Sequence, residues 1–173
     1  MQHEAIYVAR TDTSRRPIRN EAALITALEA EGVRIVLPGQ SSIIQQINQF
    51  RVAKIVIVGH GSGLTNIVFC PDDAAIYELV PSHYPSPAFN RLAQVRELDY
   101  WVDIFPSESQ GHEHSRPWLV DIELVKRRLD LIRKAARKPA LAEAASGKAS
   151  GGSRMPWQRL FHPSWLRRAV MRR

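Results

Sequence analysis

Gly59-His60-Gly61-Ser62-Gly63 places an imidazole and a hydroxyl among three glycines, directly after the apolar run Ile55-Val56-Ile57-Val58. A turn of this composition exposes backbone N–H groups. Its glycines allow positive φ angles and close approach to a ligand, and a helix opening near Gly63 directs its positive dipole end outward. The chemistry that suits such a turn is capture of an anion, most simply a diphosphate. His60 can donate to a phosphate oxygen or, when charged, neutralise part of its charge, which makes it the candidate catalytic group. A second source of positive charge lies upstream, where Arg10, Arg15, Arg16 and Arg19 crowd a polar stretch. Those guanidiniums either meet a phosphate or form a solvated loop.

The elements that must position these residues follow from periodicity. Residues 4–9 read as a short strand and 10–19 as a loop. Asn20 is a good N-cap for a helix carrying Ala23, Leu24, Ala27 and Leu28, which Gly32 ends. Residues 33–37 form the next strand, and Pro38-Gly39 turns the chain. Ser41 or Ser42 caps a second helix with Ile43, Ile44, Ile47 and Phe50 on its apolar face, and 55–58 returns as a buried strand. The alternation continues with a short helix at 64–69, a strand at 75–80, a helix at 88–97 and a strand at 100–104. Strands separated by helices require crossovers, so the expected fold is α/β, a Rossmann-like, mostly parallel sheet with helices on both faces. Ligands bind such sheets at the carboxyl ends of the strands. The expected rim is therefore the three loops at residues 10–19, 59–65 and 81–87.

With 173 residues, of which 45% are hydrophobic, the chain has material for one ordinary core. Residues 1–138 read as that domain, closed by a long amphipathic helix at 118–138 that Trp118 anchors. Residues 139–153, poor in apolar side chains, read as a flexible linker, and 154–173 as a basic amphipathic tail. The net charge of +7 belongs to the end of the chain. Residues 133–173 hold eleven Lys or Arg against one acid, so 1–132 is net negative. The tail's arginines, with Trp157 and Trp165, suit contact with an anionic membrane surface, although Pro156 and Pro163 divide it. A partner-docking segment or a disordered basic tail are the alternatives. No nucleic-acid-reading fold accompanies the charge. Cys70, the single cysteine, cannot form an internal disulfide, no stretch resembles a signal peptide, and no apolar run spans a bilayer, so a cytoplasmic location is expected, possible contact with the membrane's inner face included. His112-Glu113-His114 matches no common zinc spacing and reads as a polar loop.

Four separated blocks carry a family resemblance: Ile6-Tyr7-Val8-Ala9-Arg10, Arg16-Pro17-Ile18-Arg19-Asn20-Glu21, Val58 to Phe69 with its His-Gly-Ser-Gly-Leu-Thr-Asn core, and Tyr77-Glu78-Leu79-Val80-Pro81. In that order and spacing, over roughly residues 4–105, the chain resembles the C-terminal half of glycosyltransferase family 61, also known as capsular polysaccharide biosynthesis proteins. Gly59 stands where the family commonly has proline, and Ser62 where alanine is commoner. The resemblance implies the nucleotide-sugar-binding domain of a GT-B architecture and an inverting transfer from a nucleotide-diphosphate sugar donor to a glycan or protein hydroxyl. It implies no cofactor, since members generally lack an Asp-x-Asp metal motif and none occurs here. Carried onto this sequence, it makes Arg10 and Arg16 phosphate contacts. It makes His60, Gly61, Ser62, Gly63, Leu64 and Thr65 the cradle of the diphosphate or sugar. Glu78 becomes the acid after the fourth strand that accepts ribose hydroxyls, while a helix start accounts for Asn20 and Glu21. The N-terminal half of such an enzyme ordinarily supplies the acceptor surface and often the general base. A partner domain, or a non-catalytic donor-binding module, therefore stands beside the enzymatic reading. A dinucleotide-binding enzyme is the weaker rival, because the glycine turn follows the third strand and lacks Gly-x-Gly-x-x-Gly spacing.

Overall fold

The computed structural model describes residues 5–146, with side chains to residue 136. Five strands, β1 (Ala5–Val8), β2 (Arg34–Val36), β3 (Ile55–Gly59), β4 (Ala75–Pro81) and β5 (Asp99–Phe105), form one sheet in the order β2-β1-β3-β4-β5. Every pairing is parallel. The helices are α1 (Glu21–Ala30), α2 (Ile43–Arg51), α3 (Ala88–Val95) and α4 (Ile122–Ser146), with 3-10 segments at Pro38–Gln40 and Ser62–Phe69. The expected Rossmann-like α/β fold is what the chain adopts.

Strand pleating divides the buried residues between two faces. Tyr7, Ile57, Tyr77 and Leu79 pack on one side with Leu24 and Leu28 of α1 and Val125, Leu129 and Ile132 of α4. Ile6, Val8, Val56, Val58 and Ile76 pack on the other with Phe50 of α2, Ala93 of α3, and Leu64 and Ile67 of the second 3-10 segment. Because both faces are covered, β1, β3 and β4 are buried along their whole length instead of alternating, and Glu78 is the one charged residue among them. Leu24 and Leu28 stand one turn apart, and burying each contributes about 1.5–3 kcal/mol. That fixes the face α1 presents and leaves its first turn at the carboxyl edge of β1.

Local signals set most boundaries. Ser42 caps α2 in a full capping box, with Gln45 N–H donating to its hydroxyl and Gln45 Oε1 accepting from Ser42 N–H. Asn20 does occupy the N-cap of α1, but its side chain makes no cap bond. It is drawn instead to the backbone of Val120, donating from Nδ2 at 2.7 Å and accepting at Oδ1 at 3.1 Å. The long helix starts at Ile122, four residues later than its apolar spacing suggests, because Trp118 pairs with Ile18 and Ser107 as extended chain and Asp121 then caps Leu124 N–H. It continues through Ser146. Residues 139–146 are therefore helical where a linker is expected, since alanine, leucine and glutamate favour helix even without an apolar stripe. The chain divides into units at residues 1–138 and 139–173, and the sheet belongs to the first. The rest of the expected linker and the basic tail at 154–173 lie outside the described residues. Among the described residues, no helix is long and apolar enough to cross a membrane.

Cys70 closes the second 3-10 segment in the core, with burial pushing its thiol up to about 12 while Arg96 pulls the other way. A neutral thiol is thus the form the fold accommodates. Its share of stability is complete below about pH 9 and declines as pH rises towards 12. At pH 8 a disulfide thiol reagent will label the unfolded chain fully and the native chain hardly at all; equal rates would mean that the thiol is not held inside.

Candidate functional site

The connection after β1 leads to β2 on one side and the connection after β3 leads to β4 on the other, so the sheet order reverses between β1 and β3. At such a switch point the two loops diverge and leave a crevice. Here the crevice is a cavity of about 360 Å³ whose lining includes Arg10, Asp12, Arg15, Arg16, Gly39, Ser62 and Gly63. The guanidinium-bearing loop and the glycine turn face one cavity.

Arg10 lies across the turn. A Cβ at Gly61 would fall 2.0 Å from Arg10 Nη1, and one at Gly59 would fall 2.9 Å from Arg10 Cδ. The glycines are required for this approach and not for conformational freedom, because Gly61 is extended (φ 162°) and neither Gly59 nor Gly63 has positive φ. The expectation of positive φ angles in the turn is thereby corrected: what the site needs is absent side-chain volume. The element that follows is a 3-10 helix, whose first N–H groups have no partner within the helix. Ser62 and Gly63 are the two of its residues that line the cavity.

Arg16 is held more firmly still. It is 9% exposed and has a φ of 49°, a conformation that costs a non-glycine residue about 1–3 kcal/mol. Both its backbone groups are caught: its N–H donates to His114 O at 2.8 Å, and its carbonyl accepts from Trp118 Nε1 at 2.7 Å. Its guanidinium lies over the Tyr84 ring, 4.6 Å from the centroid. Among the described residues, Arg10 Nε and Arg16 Nε are buried with no hydrogen-bond partner. Burial, then the neighbouring Arg16 charge, lowers the Arg10 pKa, and Glu21 opposes both. Glu21 itself is buried, its Oε1 accepting from Arg10 N–H at 2.7 Å and from Tyr7 O–H at 2.8 Å. Asn20 and Glu21 thus build the site's frame, and a helix start does not account for them.

Four expected site residues, Leu64, Thr65, Glu78 and His60, are placed elsewhere. Leu64 is fully buried in the core beneath the turn, and Thr65 is exposed and does not line the cavity. Glu78 is not after the fourth strand but within it. It is level with Val58 and hence with Val8, three residues before β4 ends. It is fully buried, its oxygens bonded to His60 and to the Tyr100 hydroxyl, so ribose hydroxyls cannot reach it in this arrangement. Burial raises its pKa, and His60 works against that. His60 does not line the cavity either. Its Nδ1 is 2.5 Å from Glu78 Oε1, and its ring meets Tyr84 at 5.5 Å and Phe89 at 5.4 Å between centroids. The imidazole is connected to the cavity through Tyr84, which supports Arg16.

The family comparison fits this geometry. A family model described as Glycosyltransferase 61 matches residues 1–77, which contain both loops of the cavity. The resemblance to glycosyltransferase 61 holds. A beta-1,2-xylosyltransferase of Arabidopsis thaliana is 30% identical over 77 residues, 43% of this chain and 14% of the relative. An EGF domain-specific O-linked N-acetylglucosamine transferase of Drosophila melanogaster is 31% identical over 113 residues, 61% of this chain and 21% of the relative. A beta-1,2-xylosyltransferase of Oryza sativa subsp. japonica is 32% identical over 56 residues, 32% of this chain and 10% of the relative. The matches span between a tenth and about a fifth of these relatives' length.

The region that the family model matches depends on partners that motif reading passes over. Trp118 and His114 approach from a hundred residues away, Tyr84 comes from the loop after β4, and Asp12 with Gly39 closes the β2 side. Of these, Asp12 and Tyr84 fall on expected rim loops, and the others do not.

A Gly61→Ala variant will fold with little loss of stability, because the displaced atom is the mobile end of Arg10, yet its pyrophosphate affinity will drop about tenfold or more. Calorimetry beside a denaturant melt checks both halves. Glu78→Ala will lower stability, costing about 1–3 kcal/mol for each buried partner left unsatisfied, read from urea unfolding.

Proposed function

We propose that this chain supplies the donor-binding half of a glycosyltransferase of the family 61 type, holding the diphosphate of a nucleotide sugar at the β1/β3 switch point. The observation that carries this is the pair of guanidiniums, Arg10 and Arg16, with buried unpartnered Nε atoms, opposite Ser62 and Gly63 across one cavity. Cations kept this close, at a cost in burial and mutual repulsion, suit a ligand of two or more negative charges. The names of the matched relatives, two xylosyltransferases and an N-acetylglucosamine transferase, support sugar transfer as the reaction class.

In that reaction the anomeric carbon's bond to the diphosphate oxygen breaks as an acceptor hydroxyl attacks from the opposite side, which inverts the configuration. The electron pair leaves with the diphosphate, whose developing charge the fixed guanidiniums and the first N–H groups of the 3-10 segment stabilise. The acceptor, a glycan or protein hydroxyl, gives its proton to a base on a facing N-terminal domain in the GT-B manner. Surface polysaccharide is the product class, and the basic residues 154–173 bring the enzyme to the inner face of a membrane. His60 acts as a positioning residue through Tyr84. One observation favours the second reading, a donor-binding module without turnover: the buried His60–Glu78 pair satisfies itself instead of presenting a base to the cavity.

Titration with UDP tests the donor site. Arg16→Ala will weaken binding by about ten- to a hundredfold, the loss expected for a charge-assisted contact. An unchanged affinity would remove Arg16 from the site. Released nucleotide, assayed with donor sugars alone and with added acceptor, separates the enzyme from the module.

A further inference from the structure

An anion site gains from each cation and loses from each anion, so the carboxylate in this cavity calls for a reason. Asp12 lines it together with Arg10, Arg15 and Arg16. Among the described residues, Asp12 makes no ion pair that would cancel its charge, and it is exposed. It is nonetheless fixed. Its Oδ2 accepts from Gly39 N–H at 3.0 Å, and a Cβ on Gly39 would fall 2.1 Å from that oxygen, so the missing side chain at Gly39 is what leaves room for the carboxylate.

Resting on the donor-site reading above, we propose that Asp12 is a specificity-determining residue that accepts hydrogen bonds from vicinal hydroxyls of the bound donor. The sheet order places the parts in line along the carboxyl edge: Gly39 after β2, the arginines after β1, Ser62 and Gly63 after β3. A ligand lying along this edge meets positive charge over the β1/β3 end and a hydrogen-bond acceptor over the β2 end. Phosphate fits the first and is repelled at the second. Hydroxyls fit the second, since a carboxylate oxygen accepts more than one hydrogen bond and Oδ1 is not used by Gly39. A nucleotide sugar has both chemistries, and a cavity of about 360 Å³ falls within the range of small-ligand sites. Asp12 thereby takes the role that the sequence assigns to Glu78, which is buried. The hydroxyls belong either to the ribose or to the transferred sugar.

Asp12→Asn keeps the shape and an oxygen for Gly39 N–H while removing the charge. Wild type and variant are titrated with inorganic pyrophosphate, UDP and UDP-N-acetylglucosamine. The expected result is pyrophosphate bound equally or more tightly by the variant and UDP bound less tightly, so that the ratio of the two dissociation constants changes about tenfold. A change confined to the comparison of UDP with its sugar derivative assigns the hydroxyls to the transferred sugar. Equal shifts for all three probes would overturn the proposal while leaving the donor site standing. Wild type that binds none of the three would overturn both.

Discussion

The close passage of Arg10 over Gly61 is the constraint to which the site answers. Two guanidiniums, one of them largely and the other almost wholly buried, are brought to a single turn, and neither ordinary packing nor ordinary solvation favours that. Burial and the charge of Arg16 both act to lower the Arg10 pKa, and the opposing attraction comes first from Glu21. Glu21 cannot touch either guanidinium in the bonds it makes. It holds the backbone N–H of Arg10 and the Tyr7 hydroxyl instead, and so places a negative charge beneath the loop while leaving the cationic groups directed elsewhere. A carboxylate in the first turn of α1 is also where the helix dipole favours one. Positive charge is thus stabilised first from below, and on the cavity side the Asp12 carboxylate adds a weaker attraction.

Position is enforced from the far end of the domain. Arg16 adopts its left-handed backbone because Trp118 and His114 hold its carbonyl and N–H, and the same strand-like stretch ties Val120 to both ends of the Asn20 side chain. α1 is therefore clamped at its first residue to the chain that leads into α4, and both helices cover the same face of the sheet. The arginine loop has little freedom to collapse into solvent. Preorganisation of this kind matters because a cation that must be drawn into place at the moment of binding gives up part of the affinity it supplies.

Much of this was legible in the residues. The apolar runs ending in Gly59 and the helical spacing around Leu24 and Leu28 identify a doubly wound parallel sheet, and that topology alone brings the loops after β1 and β3 to one edge. The cap of α2 is a local signal, legible as Ser41 or Ser42, and the reciprocal bonds with Gln45 decide for Ser42. The side-chain roles were less so. Glycine is ambiguous between conformational freedom and missing volume, and only the course of Arg10 decides for volume. Asn20 satisfies the N-cap rule by position while its amide serves Val120, a contact across a hundred residues that no window contains. Glu78 lies in a stretch that motif reading places at a strand end, whereas its register with Val58 places it in the middle of a covered sheet. Asp12 shows no local pattern; its meaning comes from Gly39 on another loop.

The buried acid under the turn raises a separate question, since a carboxylate with no exposure is costly unless it is paired and hydrogen-bonded. Glu78 has both forms of compensation, from His60 and from Tyr100, on the face of the sheet that α3 covers. Replacing a buried ionic pair with well-packed apolar side chains of similar volume is often neutral or stabilising, so stability alone does not explain it. What the pair does provide is orientation. With Nδ1 bound to Glu78 and the His60 N–H donating to Leu79 O at 2.8 Å, the imidazole is locked in backbone and ring alike. The locked ring abuts Tyr84, Tyr84 lies under Arg16, and Arg16 faces the cavity. The polar layer therefore sets the height at which a cation meets the bound anion, which gives a fixed histidine in this turn a function without requiring that it touch the ligand.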